Sequence, residues 1–147
     1  MSDLHLELTD APPEADKQFL RQQIRAFNDD HSPPHAAVRQ PGSVRPLCLF
    51  VRDADGALQG GLIAETYWGW LDIDILWLRQ SRRGQGVGRQ LLAQAEAEAV
   101  RRGCAWAQVK TFSFQAQAFY EKQGYRVVGE MRDYPPGASF LWMRKDL

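Results

Sequence analysis

Cysteine and histidine are scarce in this chain: two of the first and three of the second among 147 residues. Cys48 and Cys104 sit in no CxxC or Cys/His cluster, and a chain of this length does not need a disulfide framework. They read as reduced, half-buried thiols. His5, His31 and His35 lack metal-ligand spacing and read as surface residues, so no metal is expected. Net charge is missing too. Eighteen Lys and Arg balance 18 Asp and Glu, which speaks against a general nucleic-acid binder. The longest apolar-rich stretch, Tyr67 to Leu78, is interrupted by Asp72 and Asp74. It falls short of the roughly 20 apolar residues of a membrane span. Met1-Ser2-Asp3-Leu4 opens without a basic region or an apolar run, so no secretory signal is expected and the expected location is cytoplasmic.

What is present suits one globular domain over residues 1–147, with 44% hydrophobic and 24% charged residues. Leu4, Leu6 and Leu8 alternate with polar neighbours and predict a strand. Phe19, Leu20, Ile24 and Phe27 recur at helical spacing and predict an amphipathic helix from Glu14 to Asn28. His31 to Pro46 holds four prolines and reads as a long loop, more in keeping with function than with filler. Val44–Val51, Leu58–Trp68 and Leu71–Leu78 predict three strands joined by turns at Asp53–Gly56 and Gly69, an antiparallel meander. Gly60-Gly61 suggests a bulge or a close backbone approach. A helix over Arg89–Arg102, a strand over Cys104–Thr111 and a short helix over Gln115–Gln123 follow. Strands at Tyr125–Met131 and Ser139–Lys145 close the order.

Chemistry concentrates in Arg83-Gly84-Gln85-Gly86-Val87-Gly88, between a strand and a helix. Glycines let backbone N–H groups converge, and a helix start adds partial positive charge, so the loop suits an anion. Arg79, Arg82, Arg83 and Arg89 flank it with no acid among them, which fits a polyphosphate. Two familiar phosphate loops fail on spacing. No Gly-Lys-Ser/Thr exists for a P-loop, and the sixth position of a GxGxxG counted from Gly84 is Arg89. A nucleic-acid site on the same arginines is a poorer reading, because they form one loop rather than a basic face.

RxxGxG between a strand and a helix, with Arg83, Gly86 and Gly88 at its defining positions, resembles the pyrophosphate loop of the GNAT family of N-acetyltransferases. Phe119-Tyr120-Glu121-Lys122-Gln123-Gly124-Tyr125 is similar to the family's second block, and the order of elements resembles it from Leu4 to Lys145. The resemblance implies an α/β (α+β) fold, with a mixed, mostly antiparallel sheet flanked by helices and two splayed central parallel strands. It implies acetyl-coenzyme A as co-substrate, held by Arg83, Gly84, Gln85, Gly86, Val87, Gly88 and Arg89 and by the backbone at Leu76, Trp77 and Leu78. A bulge in that strand would free an N–H for the oxyanion. The family often has asparagine where this chain has Ser113, and Gln115 is a candidate for the missing amide.

The implied reaction is direct attack of a neutral primary amine on the thioester, with Tyr120 as general acid. Asp72 and Asp74 are the candidate bases, beside a structural ion pair with arginine as the plain alternative. Strict alternation would put them on one face of their strand with Leu76 and Leu78, and Asp74 lies nearer the reacting centre. Tyr67, Trp68 and Trp70 are either core aromatics or, with Glu65 and the two aspartates, walls of a pocket for a cationic amine. No nucleic acid or membrane partner is expected, and a homodimer is compatible with the family. The rival function is a non-catalytic acyl-coenzyme A sensor on the same fold. Charge is divided along the chain: through Leu78 twelve acids face six bases, and from Arg79 onward the ratio inverts.

Overall fold

The structure is a computed structural model, and it describes residues 3–147. The chain forms two compact units, one ending at Gln40 and one running from Pro41 to Leu147. In the first, α1 (Glu14–His31) begins after the proline pair and carries Glu14 and Asp16 in its first turn, where acids suit the helix dipole. The segment expected to be one long loop instead contains a short helix, α2 (Pro33–Val38). Proline is compatible with a helix's first turn, and the Ser32 side chain caps His35 N–H there. The prolines therefore start an element rather than forbid one. The strand expected at Leu4–Leu8 is not formed; residues 3–9 carry no regular structure. Alternation supplies a face but no hydrogen bonds, and a strand exists only through a paired neighbour.

The second unit is a six-stranded sheet in the order β1-β2-β3-β4-β6-β5. Its strands are β1 (Arg45–Arg52), β2 (Leu58–Tyr67), β3 (Trp70–Leu78), β4 (Trp106–Phe112), β5 (Arg126–Arg132) and β6 (Ser139–Asp146). The β1-β2-β3 meander is antiparallel as expected. Only β3 and β4 are parallel, because α3 (Val87–Arg101) carries the chain back between them. A short α4 (Gln117–Lys122) precedes β5. Leu91, Leu92, Ala95 and Ala99 of α3 are buried in one core with Leu62, Leu71, Ile73, Val109 and Met143 from the sheet. Arg102, at the end of α3, donates to the carbonyls of Arg45 and Pro46 and to Thr66 Oγ1, tying the helix to β1 and β2. Both cysteines are free, Cys104 buried and Cys48 exposed rather than half-buried.

Two backbone features position the site. Gly60 and Gly61 are places of close approach, and the β1–β2 ladder is also irregular beside them: Val51 pairs with Gly60 and Arg52 with Leu58, which leaves Gln59 as an extra residue. A Cβ on Gly60 would collide with the Trp77 carbonyl, and one on Gly61 with the Leu49 carbonyl. A second bulge lies in β3: Ile63 pairs with Ile75 and Ala64 with Ile73, so Asp74 is the extra residue. One extra residue inverts the alternation beyond it. Leu71 and Ile73 are buried, and after the bulge Leu78 is buried while Ile75 and Trp77 are exposed. Asp72 therefore does not share a face with Leu76 and Leu78, contrary to strict alternation.

Candidate active site

The β3–β4 pairing runs from Trp70 and Trp106 to Ile73 and Val109 and stops there, just before the bulge. Beyond that point the two strands part around a cleft of about 900 Å³. Asp74, Ile75, Leu76, Trp77 and Leu78 line it from β3, and Lys110 and Thr111 from β4. The backbone of β3 past Ile73 has no strand partner on this side. Unpaired N–H and C=O groups in a cleft are a template for an extended ligand that carries amides.

One end of the cleft is the glycine loop. Gly84 and Gly86 hold φ of 72° and 80°, the left-handed region where a side chain is strained. Gly86 is the N-cap of α3, and no side chain caps that end. The first-turn N–H groups of α3 thus keep free donors beside a favourable dipole. Gly84, Gly86, Val87, Gly88 and Arg89 all line the cleft. Arg83 lines it too, with its Nε donating to the Leu78 carbonyl at 2.9 Å and its outer guanidinium nitrogens left over. Gln85 does not line it, and its amide donates to the Ser81 carbonyl.

The other end is aromatic. Tyr120 is 4% exposed and lines the cleft beside Phe119. Its ring packs edge-on to Phe119 and Tyr125, at 5.2 and 5.6 Å between centroids. Burial pushes its hydroxyl up to about 12, so the group keeps its proton at neutral pH. Tyr125 is held in turn by Glu96, which accepts its hydroxyl at 3.0 Å and pairs with Lys145 at 2.9 Å. Ser113 does not line the cleft: its Oγ accepts Ser139 N–H at 3.0 Å and fastens β4 to β6. Gln115 does line it. Its Oε1 accepts Phe112 N–H and the Thr111 hydroxyl, which leaves the NH2 as its free donor.

The residues expected to form one acceptor pocket fall into two depressions. Glu65, Asp72 and Asp74 line one of about 490 Å³, with Lys110 and Phe140. Glu65 and Asp72 sit opposite each other in the β2–β3 ladder, and Asp72 accepts the Tyr67 hydroxyl at 2.9 Å. That bond, added to burial, raises Tyr67 to about 12. Asp74 and Lys110 line both this depression and the cleft, so the two spaces adjoin there. Tyr67, Trp68 and Trp70 instead line a separate depression with Arg126 and Arg144. Arg144 already lies over the Trp70 ring at 4.9 Å. Sequence reasoning gave no role to Lys110, Phe114 and Phe140; the β4–β6 ladder places Lys110 and Phe140, and Phe114 follows the end of β4.

Known proteins are similar to this chain in sequence and fold. A family model described as the acetyltransferase (GNAT) family matches residues 6–125. Blasticidin-S acetyltransferase of Streptomyces morookaense is 39% identical over 130 residues, covering 84% of this chain and 96% of its own length. A crystal structure of an acetyltransferase from Bacillus cereus superposes with a TM-score of 0.82 at 31% identity, covering 96% of this chain and 98% of that one. A Bacillus anthracis protein solved in complex with acetyl coenzyme A shares the fold, with a TM-score of 0.62 at 18% identity over 74% of this chain and 65% of its own.

Proposed function

The chain belongs to the acetyltransferase (GNAT) family, and on that premise we propose that it transfers an acetyl group from acetyl-coenzyme A to a small, cationic primary amine. The carrying observation is the cleft itself, which joins a free helix N-terminus to a buried, protonated tyrosine along the edge of β3 that β4 leaves unpaired past Ile73. Pyrophosphate would take the α3 N–H groups with Arg83 and Arg89, and the pantetheine amides would take the β3 backbone near Leu76, Trp77 and Leu78. Acetyl-coenzyme A in the Bacillus anthracis fold neighbour and the name of the Streptomyces relative both support this reading.

The amine nitrogen attacks the thioester carbon, and the negative charge that grows on the carbonyl oxygen is met by the N–H freed at the Asp74 bulge. As the C–S bond breaks, the sulfur takes the Tyr120 proton. The ammonium proton goes to Asp74 directly or through water, because Asp74 borders both the cleft and the acidic depression. Asp72 and Glu65, beside it, favour an acceptor with positive charge. The test is release of free coenzyme A from acetyl-coenzyme A with a panel of amines. Turnover is expected, highest with diamines, and Asp74→Asn should raise their KM by roughly tenfold or more. Binding of acetyl-coenzyme A without turnover on any amine would instead favour the sensor.

A further inference from the structure

Four aromatic side chains gather at the C-terminal end of β4, and the chemistry above makes no use of them. The Phe112 and Phe114 rings lie 5.5 Å apart and 7° from parallel, and Phe112 and Tyr134 lie 6.4 Å apart and 21° from parallel. Phe140 meets Phe112 edge-on at 5.2 Å and Tyr134 at 5.8 Å. The β4–β6 register brings them together by setting Phe112 opposite Phe140. Core packing does not account for the group, since Phe114 is 66% and Tyr134 58% exposed. Large apolar rings left open to water beside a cleft mark a contact surface.

The location is specific. Phe114 lines the cleft with Gln115 and Tyr120, and Phe140 lines the acidic depression with Asp74 and Lys110. The aromatic group therefore reaches the cleft through Phe114 and the depression through Phe140, with Phe112 packed between them. Three near-parallel rings offer flat π surface, which favours an offset-stacked planar partner over a puckered one. Phe112, Phe114 and Phe140 carry no charge, so they add shape selection to the charge selection of the neighbouring acids. We propose that the acceptor amine carries a planar unsaturated ring that seats against the exposed Phe114 ring while its nitrogen is held near Asp74. This rests on the acetyl-transfer reading given above.

Two amines isolate the ring: 2-phenylethylamine and 2-cyclohexylethylamine share the amine and the ring size and differ in planarity. The wild-type chain is expected to show kcat/KM roughly three- to tenfold higher for the phenyl compound, the range of one aromatic stacking contact. Phe114→Leu keeps apolar bulk and removes the ring face at an exposed position, so it should narrow the ratio to about twofold or less. Tyr134→Leu, at a ring that lines neither space, should leave the ratio nearly as it is, and both variants should keep the KM for acetyl-coenzyme A nearly unchanged. Equal kcat/KM for the two amines in the wild type overturns the proposal and leaves acetyl transfer standing. So does a Phe114→Leu chain that keeps the ratio and loses acetyl-coenzyme A affinity, which would assign the ring to the donor. Absence of coenzyme A release with every amine overturns the acetyl-transfer reading itself.

Discussion

Burial decides the protonation state in which Tyr120 meets the cleft. A phenol ordinarily loses its proton near pH 10, and desolvation moves this one to about 12. The protonated form, the one a departing thiolate needs, therefore persists across the working range. The sign follows: rate that depends on Tyr120 is present below its raised value and is lost only as pH climbs through it. The prediction is a kcat profile with no Tyr120-dependent fall up to about pH 10, measured with saturating acceptor. A descending limb near pH 9–10 in the wild type that vanishes in Tyr120→Phe would contradict it. Tyr120 stood out in the sequence because the block Phe119 to Tyr125 resembles the family's second block, and folding sets it on the cleft. Asp74 was legible as a candidate, and its exposure on two spaces was not: the bulge that puts it there depends on β2–β3 register, which no local pattern encodes.

At the scale of elements, the closeness of β2 to its neighbours sets where β3 can go. Gly60 lies against the backbone of Trp77 and Leu78, the stretch proposed to carry the donor's amides. Gly60→Ala should cost roughly 1–3 kcal/mol through overpacking, read as a lower denaturant midpoint, and should raise the KM for acetyl-coenzyme A. Gly88→Ala is the control, since its Cβ would meet Phe119 at 3.5 Å, an ordinary contact. Equal stability of the two variants would refute the close approach. The meander, α3 and β6 were readable from periodicity and turn residues. The Leu4–Leu8 strand and the loop before β1 were misread for complementary reasons. One needed a pairing partner that alternation cannot supply, and the other held a capping serine that makes two prolines helix-compatible.

Across the whole molecule, the zero net charge conceals an acidic stretch before Arg79 and a basic one after it. In space the division is partial. Glu65, Asp72 and Asp74 do gather in one depression, yet Lys110 from the basic half lines it with them, and Arg144 covers Trp70 of the acidic half. Folding thus leaves Tyr67 bonded to Asp72 but sets Trp68 and Trp70 in a separate depression, and it supplies other aromatics, Phe114 and Phe140, nearer the cleft and the acids. The central claim is that the cleft ending at Tyr120 is where acetyl transfer occurs. Its most direct test is a single-turnover rate for Tyr120→Phe, with acetyl-coenzyme A affinity measured alongside by calorimetry. The account predicts a rate at least about a hundredfold lower, in the range of lost general acid catalysis, with affinity unchanged. A variant that turns over at the wild-type rate would contradict it.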